Sequence, residues 1–305
     1  ELLDIALTRK MVGKGQSVPL AGIPFHAAQN YIYRLTRQGC RVAVCEQMEL
    51  PQKGQKIVKR ELVRTISPGT IIDSDVIDGK ENNYLAALFD GGLAGWGLAC
   101  VDVITGEFRA TWESGAESWR AILAELGTLN PSEILIDETA QNGGEFEKQL
   151  RVQADCMITP VSSEPFSPQF FERLGIEMAV SDEIKRPNAE RDLYLSAAGA
   201  LLAYLEAHQK ETLAFIRTME LYRRSGFMIV DKNTERNLEL LACAGEGGKK
   251  FSLLGALDLT ATAMGGRLMK QWILRPLIDP VKIQQRQSVV RLLVDMPNLR
   301  GDLRQ

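Results

Sequence analysis

Two aspartates are the first residues in this sequence with a chemistry to offer. Asp102 closes an apolar strand pattern just before a turn, and Asp137 ends a later one. Phosphodiester cleavage with two divalent ions needs several such carboxylates converging within a few ångströms. No third is well placed, since Glu117 and Glu125 fall at opposite ends of the intervening helix pattern. The stretch around them is acidic and carries no basic groove for a polyanionic substrate. The structural reading of both aspartates is therefore the stronger one. The run Gly-Glu-Gly-Gly-Lys-Lys at 245–250 invites a phosphate-loop reading. That motif needs G-x-x-x-x-G-K followed by Ser or Thr, so that amides cradle phosphate and a hydroxyl holds magnesium. Here Cys243 stands where the first glycine must be, Lys250 follows Lys249, and no strand leads in, which makes the run a loop.

Metal and redox chemistry find little support. The cysteines at 40, 45, 100, 156 and 243 are scattered without a C-x-x-C pair, as packed, reduced thiols of a cytoplasmic protein would be. The histidines, His26 and His208, are too few and too far apart in sequence to suggest zinc.

What remains is positive charge. The net charge of −3 conceals three blocks: residues 1–70 carry eleven Lys/Arg against five Asp/Glu, residues 71–210 sum to −14, and residues 211–305 return to +5. A polyanion is attracted to the flanks and repelled by the middle. Arg9 and Lys10 sit in a glycine-punctuated basic loop at 9–15. Arg60 closes a polar loop that also carries Lys53, Lys56 and Lys59. Such residues grip phosphates without reading sequence.

These residues need elements to position them. With 305 residues, 45% hydrophobic content and no long apolar run, the chain has room for two or three globular domains and no membrane span. There is no secretory leader, and an apolar strand pattern at 2–8 right at the start gives the chain the look of a piece of something longer. Residues 1–70 read as strand, basic loop, helix (25–38, closed by Gly39), strand (41–45), polar loop and strand (61–66). Strands follow at 84–90, 95–103 and 107–112, the last two joined at Thr105-Gly106. A helix at 117–126, a strand at 133–136, a helix at 145–151 and a strand at 157–161 complete an α/β layer. A short helix lies at 169–174, and a long alanine-rich helix at 189–208 is expected to bridge to the last part. Residues 211–222 look irregular or extended, 227–230 (FMIV) a short strand, and 231–240 a helix capped by Asp231 or Thr234. In 254–296, Thr260 or Thr262 starts a helix that Pro276 stops, and Gly265-Gly266 leave room for another backbone. Asp279-Pro280 then start a second helix. Leu268, Met269, Trp272 and Ile273 on the first, and Ile283, Val290, Leu293 and Val294 on the second, predict an antiparallel pair closed on a buried apolar seam with Trp272 in its core.

Several of these stretches resemble one family, the MutS-type DNA mismatch-repair proteins. LLDIALT, PLAGIPFHAAQNYIYRL, GCRVAVCEQ and KRELVRTISPGT resemble its mismatch-binding domain. NYLAALF, GLACVDVITGEF and LNPSEILI resemble its connector, and MIVDKNTERNLEL with TATAMGGRLMKQWILRPLIDPVKIQQRQSVVRLL resemble the start of its helical core. The resemblance implies a multidomain α/β plus α protein: a small α+β unit at 1–72, a ribonuclease-H-like connector at 73–212, and the start of a helical lever domain at 213–305. It implies binding of mispaired duplex DNA, with Arg9, Lys10 and Arg60 toward the backbone. A Phe-x-Glu wedge, which the family carries at the mispair, is expected upstream of Glu1, and residues 1–40 contain no aromatic-x-Glu. Weak mismatch binding by this stretch alone follows as an expectation. The parent would be a cytoplasmic homodimer that exchanges ADP for ATP, with Mg2+, becomes a sliding clamp and recruits MutL. The ATPase would lie beyond Gln305, so this stretch is expected to be no enzyme and to hold no cofactor or metal. Two other classes stay open on the residues alone: a metal-dependent nuclease built on the middle layer, and a module that only binds proteins.

Overall fold

The fold is taken from a computed structural model, which describes residues 2–11, 17–49, 58–71, 79–115, 117–140, 144–153, 156–179, 188–243 and 248–303. Lys53, Lys56, most of the loop at 9–15 and the first residues of the 245–250 run lie outside the described residues.

The N-terminal unit consists of two ribbons and a helix. β1 (Thr8–Met11) pairs antiparallel with β2 (Ser17–Leu20), and the Thr8 hydroxyl donates to the Leu20 carbonyl at 2.7 Å. The strand expected at 2–8 is absent: residues 4–7 are extended at most locally, because no described segment lies alongside to complete their hydrogen bonds. Pairing begins only where β2 supplies a partner. α1 (Ala28–Arg37) follows, and Gly39 turns the chain at φ +75° into β3 (Val42–Gln47), which pairs with β4 (Arg60–Ile66).

The middle layer is one seven-stranded sheet. β5 (Tyr84–Asp90), β6 (Gly95–Asp102) and β7 (Phe108–Ser114) form an antiparallel centre. After α2 (Trp119–Leu129), β8 (Glu133–Asp137) adds parallel to β5. After α3 (Glu145–Gln153), β9 (Met157–Val161) adds parallel to β8. α4 (Pro168–Arg173), β10 (Glu177–Ala179), α5 (Asn188–His208), α6 (Lys210–Leu213) and β11 (Thr218–Leu221) close the other side, in the order β10-β11-β7. The sheet thus takes a strand from residues beyond 212. Both faces are covered, which is why the central strands β5 and β6 are apolar at nearly every position. Leu85, Ala87, Ala99 and Val101 pack against Leu195, Leu201 and Leu205 of α5. Ala86, Leu88, Leu98 and Cys100 pack against Ile122 and Leu126 of α2 and Leu150 of α3. α5 runs close over β6, where a Cβ on Gly97 would overlap the Leu193 carbonyl.

The C-terminal part is helical and less enclosed. The expected strand at 227–230 is a single bridge, Phe227 to Leu277, in which the Met228 amide donates to the Pro276 carbonyl at 2.8 Å; among the described residues the ladder goes no further, and Met228 and Ile229 are exposed. α7 (Lys232–Asn237) is capped by Asp231, which accepts from the Thr234 amide at 2.7 Å. α8 (Leu253–Leu257) leads to α9 (Ala263–Leu274), capped by Thr262, then α10 (Pro280–Asp295), capped by Asp279, and α11 (Pro297–Asp302). The predicted buried seam is corrected here. Leu268 is 45% exposed, Val290 48% and Val294 63%, while Ile283 and Leu293 are half-buried, so the apolar stripe of α10 is only partly covered among the described residues. Trp272 is half-buried rather than central, with the Arg286 guanidinium 3.9 Å from its ring centre. Gly266 meets the stem of the Lys80 side chain, whose Cγ and Cδ would lie 2.6 Å from an added Cβ, and not another backbone.

Two outcomes test this packing. Gly97→Ala should destabilise the chain by about 1–3 kcal/mol or more in urea titration, because α5 must back away from the sheet. Burial pushes the Cys100 thiol up to about 12, whereas Cys45 is exposed. Iodoacetamide at about pH 8 should therefore label Cys45 quickly and reach Cys100 only in denaturant, as read by peptide mass.

Candidate nucleic-acid interface

Arg9, Lys10 and Arg60 are all exposed, on the two ribbons of the N-terminal unit. None has an ion pair or hydrogen-bond partner for its side chain among the described residues, and Arg64 shares that state. The neighbouring cations differ: Arg34 pairs with Asp4, Lys59 with Glu61, and Arg41 reaches Glu133. An exposed cation without a carboxylate beside it is available to a phosphate.

The strand geometry sorts these side chains. Successive residues of a strand point to opposite faces, so Arg9 and Lys10 project from opposite sides of the β1–β2 ribbon. Between β3 and β4 the register slips: Arg64 lies opposite Val44, but Leu62 lies opposite Cys45. The extra residue on β4 shifts its alternation by one. Arg60, opposite Gln47, consequently faces away from Arg64, opposite Val44. Sequence reasoning missed Arg64, although its position in a strand beside Arg60 was visible. The bulge that separates their faces was not.

The base of the β3–β4 ribbon is bolted to the middle layer by one carboxylate. Glu133, the first residue of β8, is fully buried. It accepts from the Ser67 hydroxyl, from the Gly69 amide at 3.1 Å, from the Thr159 hydroxyl at 2.6 Å and from the Tyr204 hydroxyl at 3.0 Å. The Arg41 guanidinium stands 3.8 Å away and also donates to Thr159 at 2.9 Å. Arg41 and Ser67 flank Val42 and Ile66, which pair at the open end of the ribbon. Burial, and then the charge of Glu133, push the Tyr204 phenol well above its ordinary value, so it stays a donor.

A second buried glutamate fixes the other end. Glu125 of α2 accepts from the Tyr222 hydroxyl at 2.6 Å, from Arg224 Nε at 3.2 Å and from Arg275, which follows α9. The Arg275 guanidinium also lies 5.2 Å from the centre of the Tyr222 ring. Burial alone would lower the Arg275 pKa, but Tyr222 and Glu125 outweigh it and hold the group firmly charged. Burial, reinforced by Glu125, keeps the Tyr222 phenol protonated. Glu125, whose place at the far end of the helix set it aside as a third metal ligand, is a link between the middle layer and the helical part.

The two aspartates do not meet. Asp102 is opposite Tyr84, and Leu135 is opposite Ala87, which places Asp137 beside Phe89. Five residues of β5 separate them, roughly 16 Å at about 3.3 Å per residue. Asp102 is fully buried and accepts from Asn82 Nδ2 at 2.7 Å and the Ile104 amide at 3.0 Å. Asp137 accepts from the Thr139 amide and hydroxyl and from Ser163. Partial burial works to raise its pKa, but these donors hold it below the usual carboxylate value. Among the described residues no group of three His, Cys, Asp or Glu is placed to hold a metal ion. Lys249 of the glycine-lysine run pairs with Glu81, on a single helical turn from Gly248 to Phe251.

Comparison with known proteins follows this division. Family models described as MutS domain I, MutS domain II and MutS domain III match residues 1–75, 83–217 and 233–305. Proteins named DNA mismatch repair protein MutS are similar along nearly the whole chain. The one from Symbiobacterium thermophilum is 37% identical over 99% of the chain, and those from Acetivibrio thermocellus and Pelotomaculum thermopropionicum are 37% and 38% identical over the same share. The chain spans about a third of the length of these relatives, 34–35%.

The buried pair supplies a stability test. Glu125→Ala leaves the Arg275 charge buried without its partner and should cost about 3–5 kcal/mol, as should Arg275→Ala. Measured in urea, the double variant should cost clearly less than the sum of the two. Strict additivity would show that the two groups do not interact.

Proposed function

The chain belongs to the MutS family of DNA mismatch repair proteins, and from that premise we propose that it grips duplex DNA through its N-terminal ribbons and passes the load to a helical core. The observation that carries this is the set of exposed cations Arg9, Lys10, Arg60 and Arg64, which have no ion-pair or hydrogen-bond partner among the described residues, in a unit where Arg34, Arg41 and Lys59 are paired. The β3–β4 ribbon stands on Glu133, and the middle layer meets the core at Glu125, so a force on that ribbon has a stiff path through the sheet. In this reading the units divide at about 72 and 212, and the middle one is ribonuclease-H-like. Its antiparallel β7-β6-β5 centre extended by the parallel strands β8 and β9 supports that comparison. The nuclease alternative has no support: its two aspartates are far apart and occupied by hydrogen bonds.

The remaining parts of the reading concern the whole protein. Mispair recognition, the homodimer, the MutL contact, and ATP, ADP and Mg2+ are proposed for the full-length protein, as is a cytoplasmic location. The acidic middle block, −14 over residues 71–210, favours a protein partner there over nucleic acid. No helix among the described residues is long and apolar enough to cross a membrane.

Phosphate contacts carry a signature in salt. Each one contributes a slope of about −0.9 in log K against log salt concentration for duplex DNA. Fluorescence anisotropy with a labelled duplex should give strongly salt-dependent binding and nearly equal affinity for matched and mispaired duplexes, since phosphates do not report the base pair. Because Arg9 and Lys10 face opposite sides, replacing one of them by alanine should lower the slope by about 0.9 and replacing the other should not. Affinity indifferent to salt, or to all four of Arg9, Lys10, Arg60 and Arg64, would sink the reading.

A further inference from the structure

The segment entering β5 is held from a distance in sequence. Lys80 Nζ pairs with Asp258 at 2.9 Å and donates to the Thr260 carbonyl at 3.3 Å. The next residue, Glu81, pairs with Lys249, and the carbonyl of the residue before, Gly79, accepts from Arg267. Three consecutive residues are thus tied to three points of the helical part, 168 to 188 positions later. The packing agrees, because the Lys80 stem lies over Gly266, and a Cβ on Gly79 would be 3.4 Å from the Ala263 Cβ. Asp258 is prepared for this contact, since the Thr260 amide and hydroxyl both donate to its other oxygen. Glu81 and Lys249 also form a corner of a cleft of about 850 Å³ whose far wall is Arg37, Gln38 and Gly39 after α1. The strap therefore sits where the N-terminal unit, the sheet and the core converge.

We propose that residues 79–81 are an electrostatic strap by which core residues 249–267 hold the approach to the sheet, so that loading the ribbons with DNA is felt at the core. The inference rests on the DNA-binding reading for its use, while the strap itself stands without it. Its ion pairs are partly exposed, with 39% of the Lys80 side chain and 17% of the Asp258 side chain open to solvent. Such pairs respond to salt, unlike the buried contacts at Glu125 and Glu133. The strap is accordingly the part of this junction that can let go without unfolding either side.

The close approach of Gly79 and Ala263 gives the test, because the Cβ spacing suits a disulfide. The full chain carrying Gly79→Cys and Ala263→Cys is oxidised with glutathione disulfide, and the 79–263 bond is quantified by peptide mass. At low salt the bond should form readily. Lys80→Met, which keeps the stem over Gly266, and Asp258→Asn, which keeps the Thr260 turn, should each slow it several-fold. Salt at about 1 M, where screening acts within about 3 Å, should slow the parent chain and change the two variants little. Rates indifferent to salt and to both single variants would overturn the strap. A saturating duplex, with binding followed separately by anisotropy, should change the cross-linking rate. An unchanged rate with DNA bound would overturn the coupling alone, and absence of DNA binding would instead overturn the functional reading.

Discussion

A carboxylate buried without water must be answered by donors, and in this molecule that obligation decides how the parts meet. Glu133 is completely enclosed, and its donors come from the end of β4, from β9 and from α5. No single unit could satisfy it. If the ribbon turned away from the sheet, the Ser67 hydroxyl and the Gly69 amide would leave, and several buried polar atoms would lose partners at a cost of about 1–3 kcal/mol each. Glu125 repeats the device on the other side of the sheet, with Tyr222, Arg224 and Arg275 as its donors. An apolar contact of equal area would hold as firmly but would allow sliding. Directional donors hold one orientation, which is what a part that passes on displacement requires.

The sheet between these two points is built to be stiff. It is covered on both faces, and its central strands are apolar on both sides, so it has no soft side on which to bend. α5 lies against it closely enough that Gly97 cannot carry a side chain. Packing of this kind transmits force instead of absorbing it. By contrast, the ribbons that carry Arg9 and Arg60 are two-stranded and largely exposed.

Much of this arrangement was legible in the residues, and the reasons for the gaps are physical. The central strands and α2 announce themselves because burial on two faces, or along one stripe, leaves a periodic apolar record. The caps at Thr262 and Asp279 are local chemistry and were read from local sequence. The outer strands β10 and β11 were missed or left vague: at three and four residues they are too short for a period, and the sheet edge beside them creates them. The apolar stripe of α10 predicted a closed seam and is only partly covered among the described residues, since periodicity reports that a face needs cover and not what covers it. The cations were found as a group, but their division between opposite faces depends on one extra residue in β4, and a register is a property of two strands.

The two glutamates show how far residue type alone can go. Asp102 invites a metal-ligand reading because a carboxylate in an apolar setting suggests chemistry, whereas the position of Glu125 on its helix does not complete such a set. Both turned out to be buried, and both are fully engaged by protein donors. A buried acid used for catalysis must keep a lone pair for its substrate, whereas one used to join segments has its oxygens taken up by them. Number and origin of the donors therefore distinguish the two uses better than burial does. By that criterion Glu133, with donors from three segments of the chain, lies at the structural extreme, and the chemistry left to this molecule is on its surface. There, four cations without a partner among the described residues are exposed, and the ion pairs at residues 79–81 remain open enough to solvent to be exchanged.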